Sequence, residues 1–423
     1  MRSEGNVYNP VPERIPKVRD ADEFQRMRAK ATALACDIRL HRSFRLPANP
    51  SIGRNRTIRV SYSDVGYLGS SSTTAGIEDP ESDHVPVVLW AGGMFGGRYQ
   101  AFANDDLCKK YRVRFLAIDR NGIGGSDSVS LDQRVATWLD IVPALLDHIG
   151  IQHVHLAAHS AGTIFVLNTI LHQRHLLHPT KPFAAFFGPW VHPSRSGKWG
   201  LAAVGLLPEL AIGTWHHWAK MINQRIAPVL TASGVSVTKA ARTSVNGISG
   251  NKVTEDPTIG DGAEAAWRKA SETVITNYVF AENVEGASQE ALLCLRKGST
   301  TWGDWRDIDE AVSRIAENER KWQGLSSIGA KEKLKIQIFF AEDDEMVGKG
   351  GQEWLESCFT QDGVAEYVSV ESEVVAGTDH NDVLALQKGA MEKMVRAIGQ
   401  VPSRAPEAGD RSREREGEDI ISQ

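Results

Sequence analysis

The sequence predicts an α/β protein built on a doubly wound, mostly parallel sheet, with a helical cap inserted in the second half of the chain. Two observations carry this prediction. Five short segments are nearly continuous in apolar residues, which is typical of parallel strands that are buried on both faces. Stretches with apolar residues at helical spacing lie between several of them, and alternation of strands and helices indicates a parallel sheet flanked by helices.

The N-terminal part of the chain precedes this alternation. Its first ~20 residues are polar and contain proline, which is typical of a loose segment. Residues Ala21–Ile38 have the composition of a helix, whereas Arg56–Tyr67 alternates apolar and polar residues and predicts a half-exposed strand at a sheet edge. The Ser-, Thr- and Gly-rich residues Gly69–Ser82 predict a surface loop.

The buried strands and their helices follow. In chain order, the strand segments are Val85–Ala91, Val113–Ile118, Val154–Ala158, Pro182–Phe187 and Leu334–Phe340. The helical stretches between them are Leu131–Ile149 and Thr163–His172. After the last of these strands, Ala365–Val375 is strand-like and Leu384–Ile398 predicts a final helix.

The alternation stops after Trp190. From about residue 191 to 333 the pattern is mainly helical, and seven of the eleven tryptophans fall in this region. We interpret it as an inserted helical cap. The predicted domains are an N-terminal extension at 1–55, a core in two parts at 56–190 and 334–400, the cap at 191–333, and a disordered tail at 401–423 that is rich in charge, Ser, Pro and Gly.

Composition excludes several function classes. A formal net charge of -5 over 423 residues argues against a general nucleic-acid-binding protein. The four cysteines are far apart, which favours free thiols over a zinc site or a disulfide framework. No segment reaches the ~20 apolar residues that span a bilayer, and the N-terminus lacks a secretory pattern. We therefore expect a cytoplasmic protein with no membrane span and no nucleic-acid partner.

The sharpest motif lies at the end of the third predicted buried strand. Val154–Gly162 reads VHLAAHSAG, so that Ser160 is flanked at two residues' distance by Ala158 and Gly162. A serine on a sharp turn between a strand and a helix needs small residues at these two positions, because larger side chains would collide with the crossing chain. The segment resembles the nucleophile elbow G-x-S-x-G of the α/β-hydrolase fold family, with Ala158 in place of the first glycine.

Two later segments resemble the acid and histidine loops of the same family. Ala376–Val383 reads AGTDHNDV and places His380 between a strand-like segment and a helix. Phe339–Val347 reads FFAEDDEMV and is similar to the G-x-x-D loop, which selects Asp344 and leaves Asp343 as the adjacent alternative. The order serine, aspartate, histidine is the one that this fold uses.

Two further loops complete the resemblance. Trp90–Tyr99, WAGGMFGGRY, is similar to the H-G-x loop that supplies a backbone oxyanion donor, although its histidine is absent. Ile118–Asp127, IDRNGIGGSD, resembles the D-x-R-G-x-G-x-S loop, in which glycines permit a tight turn. The resemblance rests on five separated segments in the family's order and covers about residues 56–400, except for the cap.

The resemblance implies a role for each residue. Ser160 is expected to be the nucleophile, His380 the base and Asp344 the acid that orients it. The oxyanion donors are expected to be the N–H groups of Ala161 and Met94, with Gly93 as the next candidate. His159 is expected to pack, and neither a metal nor an organic cofactor is needed.

The predicted function is therefore a serine hydrolase that acts on an ester, lactone or thioester of a small, largely apolar molecule. Two alternatives stay open: an enzyme of this fold that tailors secondary metabolites by hydrolysis or as a lyase, and a non-catalytic ligand-binding homologue. Trp302 and Trp305 are candidates for lining the substrate site, although a helical cap also needs aromatic residues for its own core. The sequence leaves the oligomeric state open.

Overall fold

The structure is a computed structural model that describes residues 18–69, 85–197, 208–214, 216–217, 263–298, 300–324 and 332–399. The predicted loose N-terminus up to residue 17, nearly all of the predicted loop at 69–82, and the predicted tail at 401–423 lie outside the described residues.

The described residues form eight strands and eleven α-helices. The strands are β1 (Arg42–Leu46), β2 (Ile58–Gly66), β3 (Val87–Ala91), β4 (Arg114–Ile118), β5 (His155–His159), β6 (Phe183–Phe187), β7 (Leu334–Ala341) and β8 (Val368–Val375). The helices are α1 (Val18–Ala35), α2 (Asp105–Lys110), α3 (Arg134–Ile149), α4 (Gly162–His172), α5 (Pro193–Ser196), α6 (Glu209–Gly213), α7 (Ala263–Ala281), α8 (Glu285–Cys294), α9 (Ile308–Gly324), α10 (Gly348–Phe359) and α11 (Ala390–Ile398).

All eight strands belong to one sheet in the order β1-β2-β4-β3-β5-β6-β7-β8. The six neighbouring strands β4, β3, β5, β6, β7 and β8 pair in parallel. Strand β2 is antiparallel to both of its neighbours, β1 and β4. This strand order, with helices between the parallel strands, is the α/β-hydrolase fold. The predicted fold class is confirmed.

Side chains of the central strands enter two separate apolar cores, one on each face of the sheet. In β5, Leu156 and Ala158 pack with α3, α4 and α9, whereas Ala157 packs on the other face with α1, α7 and α11. Strands β3, β5 and β6 are buried at every position. This two-sided burial explains why their sequences are continuous in apolar residues instead of alternating.

The prediction of a half-exposed edge strand at residues 56–67 is wrong. Strand β1 pairs on the outer side of β2, and β2 is buried from Val60 to its end. The polar residues that produced the alternation are paired inside the protein: Ser61 Oγ donates to Asp119 at 2.5 Å, and Asp64 accepts two hydrogen bonds from Arg114 at 2.8 Å. Buried polar side chains with partners give the same sequence pattern as solvent-facing ones.

The predicted last helix is also shorter than expected. The helix α11 begins at Ala390, and the residues before it form two short 3-10 turns, Asp382–Leu384 and Leu386–Lys388. Gly389 has φ 79°, in the left-handed region that glycine favours, and this residue separates the second turn from α11.

Between β6 and β7, the described residues contribute α5 to α9 and no strand of the sheet. The long helix α7 packs along α1 of the N-terminal segment, and α9 packs on α4 and α10. Within the described part of the chain, no helix combines the length and the apolar character that crossing a membrane requires. The domain boundaries predicted from the sequence stay predictions.

Candidate active site

Ser160 lies on a sharp turn between β5 and α4. Its φ is 49°, a left-handed conformation that costs a non-glycine residue about 1–3 kcal/mol. Main-chain hydrogen bonds hold the turn: the Ser160 N–H donates to Phe187 at 3.1 Å, and the Ser160 carbonyl accepts from Thr163 at 2.9 Å. A Cβ atom at Gly162 would overlap the carbonyl oxygen of Ala91, so only glycine fits there.

His380 lies within hydrogen-bonding distance of both Ser160 and Asp344. Its Nε2 lies 2.8 Å from Ser160 Oγ, and its Nδ1 lies 2.8 Å from Asp344 Oδ2. All three residues are buried, at 4–5% exposure. An Nδ1–H that donates to the carboxylate leaves Nε2 free to accept the serine proton, which is the arrangement a nucleophile and its base need.

Asp344 is held in place by the turn that follows β7. Its Oδ1 accepts hydrogen bonds from the N–H groups of Met346 at 2.9 Å and Val347 at 2.8 Å, which leaves Oδ2 for His380. The alternative, Asp343, is exposed. The structure thus brings Asp344, and not Asp343, to His380.

At both Asp344 and His380, the hydrogen-bonding partner shifts the pKa in the direction opposite to burial. Burial would raise the pKa of Asp344, but His380 and the two main-chain N–H groups hold that pKa below its usual value. Burial would lower the pKa of His380, but the Asp344 carboxylate, with a further contribution from Asp379, raises it above its usual value. The Asp344 carboxylate therefore favours the protonated form of His380.

Two of the predicted oxyanion donors, Gly93 and Ala161, lie beside Ser160. A Cβ atom on Gly93 would lie 3.3 Å from Ser160 Cβ, so the glycine loop that follows β3 (Gly92–Gly97) approaches the nucleophile closely. Ala161 directly precedes the first residue of α4, where helix N–H groups carry a partial positive charge. Neither the Ala161 N–H nor the Met94 N–H has an acceptor among the described residues.

His159 packs beneath the site. Burial lowers its pKa to about 3, so that its ring is neutral. Its Nε2 lies 2.9 Å from the carbonyl oxygen of His380 and is therefore the protonated nitrogen that donates there. This contact supports the loop that carries His380, a role that sequence reasoning did not identify because the two residues are distant in the chain.

The loop after β4 also reaches the site. Asp119 accepts from the main-chain N–H of Arg98 at 2.7 Å, and Arg120 donates to the carbonyl oxygens of Gly92 and Gly93. Arg120 also pairs with Glu290 of α8. Sequence reasoning assigned only a turn to this loop and missed Glu290, which no motif marks.

The two candidate substrate-binding tryptophans lie in the packed core beside α4. Trp302 and Trp305 are 1% and 3% exposed. The Trp302 indole N–H donates to the Leu293 carbonyl at 2.8 Å, and that of Trp305 donates to Asn168 at 3.1 Å. This burial favours a role in the core of the helical segment over contact with substrate.

A cavity of about 640 Å³ lies away from these residues, between α1, the turn Arg98–Asn104 and α7. The stacked rings of Phe102 and Trp267 form part of its wall. None of Ser160, His380 and Asp344 lines it. In the described parts of the chain, no group of three His, Cys, Asp or Glu side chains is arranged to hold a metal ion.

No protein-family model matches the sequence, and no curated protein matches it. Solved structures similar to this chain include an esterase from Thermogutta terrifontis (13% identity, 85% of this chain and 100% of that chain, TM-score 0.47). A carboxylesterase from Bacillus subtilis is 14% identical over 90% of this chain and 98% of that chain, with a TM-score of 0.46. An enol-lactonase from Burkholderia xenovorans is 11% identical over 81% and 96%, with a TM-score of 0.44. At such low identity, nothing about this chain's substrate follows from them.

Proposed function

We propose that this protein is a serine hydrolase that cleaves a carboxylic ester, lactone or thioester through an acyl-enzyme. The observation that carries the proposal is the hydrogen-bonded series from Asp344 through His380 to Ser160, with both distances at 2.8 Å and the serine held at a positive φ. A serine at its ordinary pKa is a poor nucleophile, and this series supplies the base that activates it.

In the first half of the proposed reaction, Ser160 Oγ attacks the carbonyl carbon and its proton moves to His380 Nε2. The carbonyl oxygen becomes an oxyanion, for which the N–H groups of Ala161 and of Met94 or Gly93 are the proposed donors. When the tetrahedral intermediate collapses, the bond to the leaving oxygen or sulfur breaks. That leaving group takes the proton from His380, and the acyl group stays on Ser160.

In the second half, His380 takes a proton from water as the water oxygen attacks the acyl carbon. The bond to Ser160 Oγ then breaks, Oγ recovers the proton from His380, and the carboxylic acid is released. Asp344 stays ionised throughout and stabilises each imidazolium. Every proton and electron pair in this sequence is supplied by the chain, the substrate and water.

Covalent labelling with a fluorophosphonate probe tests the proposal. The wild type is expected to gain one phosphonyl group, located on Ser160 by mass spectrometry, and Ser160→Ala is expected to gain none. Ser194→Ala, which changes a serine outside the candidate site, serves as the matched control and should label like the wild type.

An unlabelled wild type that is folded by circular dichroism would overturn the proposal. A non-catalytic ligand-binding protein would then be the better reading. Labelling at another serine would leave a hydrolase but would refute the assignment of Ser160.

A further inference from the structure

A buried arginine contacts two carbonyl groups of the glycine loop. Arg120 donates from Nη1 to the Gly92 carbonyl at 2.7 Å and from Nη2 to the Gly93 carbonyl at 2.8 Å. The rest of its guanidinium pairs with Glu290 of α8 at 2.6 and 2.7 Å. Its guanidinium carbon also lies 5.0 Å from the ring centre of Phe165, on the helix that follows Ser160.

Peptide geometry gives these two carbonyl contacts a consequence for the N–H groups. In a trans peptide the C=O and the N–H point in opposite directions, and the described residues contain no cis peptide bond. The Gly92 carbonyl shares a peptide unit with the Gly93 N–H, and the Gly93 carbonyl shares one with the Met94 N–H. Since Arg120 draws both carbonyls to its own side, it directs both N–H groups to the other side.

We infer that Arg120 is a positioning residue for the oxyanion hole, and that Glu290 sets its orientation. The inference rests on the proposed function and holds whichever of Gly93 and Met94 is the donor, because Arg120 contacts the carbonyl of both peptide units, that of Gly93 together with the Gly96 N–H. It also connects the helical segment between β6 and β7 to the chemistry, since Glu290 of that segment contacts Arg120.

The contacts require an arginine. A planar guanidinium makes two parallel hydrogen bonds to a carboxylate and still has donors for two carbonyls, whereas a lysine ammonium is a point charge with three donors on a flexible stem. Arg120 is 1% exposed and Glu290 is fully buried. A lysine at this position keeps the charge that Glu290 needs but cannot hold all four acceptor oxygens at once.

Arg134 provides a matched control because it belongs to the same buried cluster. It donates to the same Glu290 oxygen at 2.7 Å and is equally buried, at 1% exposure. Its other partners are the carbonyl of Asn121 and the side chain of Gln289, not the glycine loop. Replacing it by lysine changes one partner of the same carboxylate and leaves Arg120 with both Glu290 oxygens and with the Gly92 and Gly93 carbonyls.

The test compares Arg120→Lys with Arg134→Lys. Hydrolysis of p-nitrophenyl butyrate gives kcat and KM, and inhibition by trifluoroacetophenone, which forms an oxyanion on a serine, reports the oxyanion hole directly. Acetophenone shares the aromatic ring and the ketone but forms no stable oxyanion. For Arg120→Lys we expect kcat to fall ~100-fold with KM nearly unchanged, the size of effect that follows loss of one oxyanion donor.

Trifluoroacetophenone affinity should fall by the same factor, whereas acetophenone affinity should stay constant. Arg134→Lys should keep kcat within about threefold of the wild type, even if its melting temperature falls as far as that of Arg120→Lys. Equal losses of kcat in the two variants, or a loss confined to KM, would overturn the inference and leave the hydrolase proposal intact. A wild type that neither turns over nor labels would instead defeat the hydrolase proposal.

If Arg120→Lys does not fold, Glu290→Gln carries the test. It keeps the shape of the side chain, weakens the Glu290 contacts of both Arg120 and Arg134, and leaves the Gly92 and Gly93 carbonyls with Arg120. A fall in kcat of ~10-fold with unchanged KM would support the inference, as a partly disordered donor predicts. An unchanged kcat in a folded Glu290→Gln variant would overturn it.

Discussion

Replacing Asp344 by asparagine reverses the hydrogen-bonding direction at one atom of the candidate site. Asp344 Oδ1 accepts from the N–H groups of Met346 and Val347, and an asparagine oxygen keeps both bonds. The amide NH2 then replaces Oδ2 opposite His380 Nδ1. Because that NH2 can only donate, Nδ1 must become an acceptor, and the ring proton moves to Nε2.

His380 in that tautomer presents a hydrogen to Ser160 and cannot take the serine proton. We expect kcat to fall by ~10⁴-fold, which corresponds to about 5.5 kcal/mol of transition-state stabilisation. Folding should be little affected, since the two main-chain hydrogen bonds persist. Steady-state hydrolysis of p-nitrophenyl butyrate, with the melting temperature measured alongside, gives both quantities.

The pH profile supplies an independent readout of the same change. His380 must be neutral to act as the base, so wild-type kcat/KM is lost as the pH falls through its raised pKa. Without the Asp344 carboxylate, burial is left to lower the His380 pKa, and the acid limb of the residual activity should shift to lower pH. An unchanged acid limb would show that Asp344 does not set the His380 pKa.

Asp343→Asn is the matched control, because Asp343 is the exposed neighbour of Asp344. It should keep kcat within about twofold of the wild type, as surface changes away from the chemistry do. The reasoning is refuted if Asp344→Asn keeps a tenth or more of the wild-type kcat, or if Asp343→Asn loses as much activity as Asp344→Asn.

Two further predictions concern the elbow and the core. Gly162→Ala should lower the melting temperature and abolish fluorophosphonate labelling, because its Cβ would overlap the Ala91 carbonyl. Gly324→Ala, whose Cβ would meet no other atom within 4 Å, should change neither quantity. A labelled Gly162→Ala variant would contradict the steric argument. Burial lowers the pKa of His155 to about 4, so the contribution of His155 to the unfolding free energy should fall by about 3 kcal/mol between pH 6.5 and 4, because the unfolded state binds the proton more readily. Urea unfolding across that pH range should show a smaller loss of unfolding free energy for His155→Phe than for the wild type, and the wild-type loss for the exposed His175→Gln. An equal loss in all three proteins would refute the assignment.

The polar residues of the chain mark the limit of sequence reasoning about the fold. The apolar runs of β3, β5 and β6 predicted these strands correctly, because burial on both faces leaves no place for an unpaired polar group. The alternation of apolar and polar residues in β2 wrongly predicted a half-exposed strand, because Ser61 and Asp64 form hydrogen bonds with residues of other segments. Whether a polar side chain meets water or another residue is not encoded within its own strand.

The candidate site divides in the same way. The turn at Ser160 was recognisable because its steric requirements fall on residues two positions away, at Ala158 and Gly162. The resemblance to the G-x-x-D loop favoured Asp344 and left Asp343 as an alternative, and only the packing shows which of the two carboxylates reaches His380.

The sequence by itself determined the fold class, the serine turn and the order of the three residues now brought together, because each depends on local periodicity or on sterics within a few residues. The tertiary structure alone decided the contacts between distant segments. Arg120 and Glu290 are 170 residues apart, and His159 and His380 are 221 apart. No local pattern marks such pairs, since the buried charge or carbonyl that each residue must satisfy is supplied only when the chain folds.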